Sequence, residues 1–168
     1  MFYLTSAVEY LFGLQSTMTP TLNKFAAILA ELQGTSRKFN YASGPPPAAT
    51  IPAQHEAVGD MTIYDDGDEL TIDIGHKHHT HVSCYNYDRF PEAERLNMVA
   101  RDAAEFVNDV MCDHVCVTVD FIGERCIGSS HFYQDEENAS SSLVRGLAVG
   151  STSGERRSER FLWSGPIT

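Results

Sequence analysis

Basic residues are scarce in this chain: 12 Lys and Arg stand against 23 Asp and Glu, a formal net charge of −11 over 168 residues. So acidic a balance argues against direct binding of nucleic acid or of an anionic membrane, since both need a basic patch. Catalytic signatures are missing too. No GxSxG elbow raises a serine nucleophile, and no GxxxxGK[ST] or GxGxxG loop cradles phosphate. The cysteines, Cys84, Cys112, Cys116 and Cys126, form no CxxC pair, and Cys112 and Cys116 are not spaced as a zinc knuckle. Asp65 to Glu69 hints at a calcium loop but lacks the terminal glutamate. Residues 1–17 are apolar but too short to span a bilayer, and they carry no Lys or Arg as an export signal would. The thiols are therefore expected to be reduced and buried, the protein cytoplasmic, and no cofactor is expected.

What is present is a strong helical period. From Phe90 to Met111 the apolar residues Leu96, Val99, Ala100, Ala103, Phe106, Val107, Val110 and Met111 form one stripe, with most charges opposite. Pro91 suits the first turn. A helix of this kind needs a surface to lie on. Thr19 and Pro20 open a second helix, with Leu22, Phe25, Ala26, Leu29 and Leu32 as its stripe and Gly34 as its stop. Ahead of it, residues 1–17 read as an amphipathic helix packed on the domain, or as a dispensable leader before an alternative start at Met18. The stretch Ser43 to Pro52 holds four prolines and is expected to supply neither helix nor sheet interior.

Elsewhere the period is two. Met61 and Ile63, then Leu70, Ile72 and Ile74, alternate with polar residues around the turn Asp65-Asp66-Gly67-Asp68, which predicts a β-hairpin. A third strand is expected over His79 to Tyr85. After the central helix, Val115 to Phe121 and Arg125 to Tyr133 make two more strands around Gly123-Glu124. Gln134 to Ser142 reads as a loop, and Leu143 to Val149 and Arg160 to Trp163 as two short strands, with Trp163 anchored on the core. The order β-β-β-α-β-β implies an α+β fold, an antiparallel sheet of about five or more strands packed on one face by helices in a two-layer sandwich. The organisation reads as an N-terminal helical segment (1–42), a Pro-rich linker (43–58) and an α+β core (59–168), together one compact domain.

Two clusters could carry function. Asp60, Asp65, Asp66, Asp68, Glu69 and Asp73 place six acids within fourteen residues. On a rigid hairpin they could steer a basic partner, or they could be a solvated edge that deters edge-to-edge association. His76, His78, His79 and His81 form the second cluster, with His114 and His131 free to converge on it. In a strand His76 and His78 would share a face, which makes them the candidate metal ligands of an alternative, metal-dependent enzyme. Solvated histidines or a pH-sensitive contact fit the same spacing. A Cys84–histidine dyad is a further arrangement the sequence permits. A third reading is an oligomerising housekeeping domain.

The run Gly59-Asp60-Met61-Thr62-Ile63-Tyr64-Asp65-Asp66-Gly67-Asp68-Glu69-Leu70-Thr71-Ile72-Asp73-Ile74-Gly75, followed by His79-Thr80-His81, resembles small bacterial immunity proteins encoded beside polymorphic or contact-dependent toxins. The closing Phe161-Leu162-Trp163-Ser164-Gly165-Pro166 is similar to how such proteins end. The resemblance covers roughly residues 59–122 and the last few. It implies a non-catalytic protein that binds and neutralises a cognate toxin domain with a basic cleft, and it transfers no catalytic residue.

Overall fold

The computed structural model describes residues 18–34, 39–134 and 155–167. Two α-helices and nine strands lie among them: α1 (Pro20–Leu32), β1 (Asn40–Ala42), β2 (Ala48–Ile51), β3 (Met61–Asp65), β4 (Glu69–Ile74), β5 (His78–Ser83), α2 (Glu92–Met111), β6 (Val115–Ile122), β7 (Arg125–Tyr133), β8 (Arg156–Leu162) and β9 (Gly165–Ile167). A 3₁₀ turn, Cys84–Tyr87, leads from β5 toward α2. The expectations for residues 1–17 and for Leu143 to Val149 fall outside the described residues. Among the described helices none is long and apolar enough to cross a membrane.

The helices start as their sequences dictate. Thr19 sits in extended backbone and its hydroxyl accepts the N–H of Leu22 at 3.2 Å, with Pro20 inside the first turn. This satisfies one of the donors a helix start leaves unpaired. α2 begins at Glu92, with Pro91 held extended at the N-cap position rather than inside the first turn. Its carbonyl accepts the N–H groups of Glu94 and Arg95.

The fold class is α+β, with all strand pairs antiparallel, but the strands divide into two sheets. The first is a meander, β1-β2-β3-β4-β5, and the second runs β7-β6-β8-β9. In β3 and β4 burial alternates strictly, so Met61, Ile63, Leu70, Ile72 and Ile74 face inward while Thr62, Tyr64, Thr71 and Asp73 face out. The turn after β4 needs Gly75: at φ +54° a Cβ there would stand 1.8 Å from the Val58 carbonyl oxygen.

Three expectations are corrected. The thiols are not all buried: Cys116 is, but Cys84 is half-buried and Cys112 and Cys126 are exposed. The Pro-rich stretch does contribute sheet interior: Ala48–Ile51 pairs with β3 from Ala48↔Tyr64 to Ile51↔Met61 and has Ala49 and Ile51 buried. The reason is where the prolines stand. Pro45, Pro46 and Pro47 end before the strand and Pro52 follows it, so four consecutive residues keep the N–H groups a ladder requires. The third strand begins at His78 and ends at Ser83, because Cys84 to Tyr87 coils into the 3₁₀ turn.

One core joins both sheets and both helices. Leu22, Phe25 and Leu29 of α1 meet α2, whose Ala100, Ala103 and Ala104 are fully buried and let the helices approach closely. Val99, Val107 and Val110 of α2 join Ile72 from the first sheet and Val115, Val117 and Val119 from the second in that core. Trp163 is only 2% exposed and anchors the chain's end on the core, as the sequence suggests. Each such large apolar side chain contributes roughly 1.5–3 kcal/mol by leaving water.

Candidate functional site

The six acids of the hairpin segment do not share one surface. Asp65, at the end of β3, has the parity of Met61 and Ile63 and so turns inward, 6% exposed. Its carboxylate accepts the Thr19 hydroxyl and, at 2.9 Å, the N–H of Gly67, tying the start of α1 to the hairpin turn. Asp60 stands at the far end of the hairpin, where it accepts the N–H of Ala53 at 2.8 Å. Asp73 lies near the end of β4 on the outer face, opposite His79. Asp66, Asp68 and Glu69 remain together at the tip. Asp66 accepts from the Thr71 hydroxyl at 3.1 Å, and Glu69 meets Nδ1 of His81 at 3.0 Å.

Around this tip the chain folds back on itself. The N–H of Cys84 donates to the Asp68 carbonyl at 2.9 Å, which lays the 3₁₀ turn against the hairpin. Tyr85 in that turn is 69% exposed and its phenol is hydrogen-bonded to the Asp68 side chain, whose bond and charge hold the phenol above its ordinary pKa. The first turn of α2 supplies Glu92 and Glu94. Gly67, Asp68, Cys84, Glu92, Arg95 and Leu96 line a cleft of about 290 Å³ between hairpin, turn and helix. Arg95 is its one cationic lining residue, 3.6 Å from the Asp88 carboxylate, and its Nε is enclosed with no hydrogen-bond partner among the described residues. The end of the molecule thus combines an acidic rim, an exposed tyrosine and a small cleft lined by charged and apolar side chains alike.

The histidines separate by strand parity. His76 lies in the turn before β5 and takes no place in the strand, so it does not share a face with His78. His79 and His81 are on the outer face, ring centroids 5.4 Å apart, and His81 bonds Glu69 and Thr71 rather than Cys84. His78 points to the second sheet. Its Nδ1 is 2.9 Å from the Ser129 hydroxyl and its Nε2 is 2.8 Å from Nδ1 of His131. Phe106 of α2 lies edge-on to His131 at 5.0 Å between centroids. Burial pushes His78 down to about 4, helped by the neighbouring imidazoles of His131 and His79, and burial lowers His131 as well. His114 stays apart, beside Asp109 at 3.3 Å.

Chemically, the His78–His131 pair brings together two imidazoles and a hydroxyl, and neither ring has a carboxylate ion-pair partner among the described residues. A base for nucleophilic catalysis is oriented and kept basic by such a partner, whereas here burial makes His78 a weaker base. Among the described residues no group of three or more His, Cys, Asp or Glu side chains is placed to hold a metal ion. The convergence of His78 with His131, 53 residues away, was open in the sequence; the parity of His78 with the inward Val82 is the signal that points it inward. Comparison with protein-family models, with curated proteins and with solved structures returned no match to the chain, so its functional reading rests on this geometry.

Proposed function

We propose that the protein is a non-catalytic binding protein of the immunity type, which neutralises a cognate toxin domain by presenting its acidic end to a basic cleft. The observation that carries this reading is the cleft that Asp68 and Glu92 line, with Asp66 and Glu69 beside Asp68 on the hairpin tip and the exposed Tyr85 bonded to Asp68. Asp65 belongs to the scaffold in this reading, and Asp60 and Asp73 lie toward the opposite end of the hairpin, away from the contact. Like charges on a rigid frame accelerate encounter with a basic surface, and a protruding tyrosine beside a cleft is the kind of anchor that carries affinity. The net charge of −11 makes nucleic acid and anionic membrane poor partners. The reading places the protein in the cytoplasm with its thiols reduced.

The test is capture of the untagged protein's partner from lysate of its source, followed by association kinetics. One basic partner in near-equal amount supports the reading, and that partner's activity names the toxin. Substituting Asp66, Asp68 and Glu69 together by Lys should then slow association roughly 10- to 100-fold at low salt and flatten its salt dependence. Unchanged association kinetics would remove the hairpin tip from the contact surface. Stoichiometric metal lost on His78→Ala would favour the metal-dependent enzyme instead.

A further inference from the structure

The two sheets meet where β5 faces β7, and there the backbone gives them nothing in common: each strand pairs only with its own sheet. Side chains close the seam. His78 reaches across from β5 and engages Ser129 and His131 of β7 with its two ring nitrogens at 2.9 and 2.8 Å.

Counting hydrogens shows what this joint tolerates. A neutral imidazole carries one N–H and one acceptor nitrogen. With both rings neutral, the Ser129 hydroxyl donates to Nδ1 of His78, and Nε2–H of His78 donates to Nδ1 of His131; the reversed sense satisfies the same two contacts. One added proton still fits. His78 as imidazolium donates from both nitrogens, to the Ser129 oxygen and to Nδ1 of His131. A second proton does not fit. Both nitrogens across the 2.8 Å contact would then carry hydrogen, and two cations would face each other with centroids 4.9 Å apart.

Among the described residues no carboxylate pairs with either ring. On β5 the neighbour is His79, stacked at 6.4 Å and itself basic, while the Lys77 ammonium lies over the Phe161 ring. On β4 the residue opposite His78 is Ile74, and Asp73 stands opposite His79. α2 presents the apolar Phe106 to His131. The histidine–carboxylate pairs among the described residues belong to His81 and His114.

We propose that the His78–Ser129–His131 seam is a two-proton latch, shut with none or one proton bound and opened by the second, which parts β5 from β7. Opening uncovers strand edges that have no ladder partner among the described residues, surfaces that can add a strand of another chain. Burial of both rings delays the second proton into the acid range.

The test is an imidazole-detected NMR titration of the full chain, from about pH 7.5 to about pH 3.5, with emission of the single Trp163 followed in parallel as the reporter of global unfolding. Expected are two macroscopic steps. The ring-to-ring contact of His78 and His131 should survive the first and vanish in the second, with Trp163 emission unchanged. His131→Gln keeps a hydrogen-bonding group but cannot become a second cation, so its contact with His78 should persist throughout. Should that variant fail to fold, Ser129→Ala removes the acceptor the singly protonated state uses and should move opening upward by about one pH unit at unaltered net charge. The proposal is overturned if the contact is lost with the first proton, survives both, or disappears only with Trp163 unfolding. It is equally overturned if Ser129→Ala leaves the opening point in place.

Discussion

The hairpin tip and the β5–β7 seam each crowd ionisable groups together, and they treat charge in opposite ways. At the tip Asp66, Asp68 and Glu69 stay near water, bonded to Thr71, Tyr85 and His81, and remain an acidic patch. At the seam two basic rings lose part of their water and face each other without a carboxylate partner among the described residues, so the charged form of each is disfavoured. Like charges on a wet rim cost little and can serve encounter; the same density indoors must be discharged. Asp65 is the instructive intermediate. It belongs to the acidic run by sequence, yet the structure uses it as a strut between Thr19 and Gly67.

That division can be broken first at Asp65. Asp65→Ala should cost about 2–3 kcal/mol, since it strips partners from the Thr19 hydroxyl and the Gly67 N–H in a site that is 6% exposed. Urea denaturation measures it; a loss under about 0.5 kcal/mol would return Asp65 to the surface set. Next comes acid. The folded pKa of His78, about 4, lies below the 6.5 of an ordinary imidazole. Its contribution to stability is therefore complete above pH 6.5 and is lost as pH falls from there toward 4. For a half-exposed ring screened by water the loss is about 2 kcal/mol. Denaturation midpoints at several pH values should show this slope in the native chain and a flatter one in His78→Gln.

Much of this fold is legible from the chain because periodicity is a local property. The alternation of Met61 to Ile74 and of Val115 to Phe121, and the stripe of α2, each follow from a face that must leave water. β2 is hidden because prolines flank it closely on both sides and mask a strand of four residues. The division into two sheets is hidden for a different reason. That β5 meets β7 only through side chains depends on contacts of His78 with residues more than fifty positions away, which no local pattern encodes. The inward turn of Asp65 was legible after all, because it shares the parity of Met61 and Ile63. Its negative charge drew it into the acidic set instead.

The smallest expected effect sharpens the contrast most. Replacing Asp66, Asp68 and Glu69 together by Lys should leave stability within about 0.5 kcal/mol, since these side chains hold exposed or half-exposed contacts whose energies are modest and partly cancel. The change removes repulsion from Glu92 across the cleft while losing the bonds to Thr71, Tyr85 and His81. A protein that stays equally stable while its association with a basic partner slows would separate the rim's role from the scaffold's. Thermal melts of the triple variant beside Asp65→Ala, in one buffer, make that comparison directly. A collapse of the triple variant comparable with Asp65→Ala would mean that the tip, like Asp65, is part of what holds the hairpin to α1.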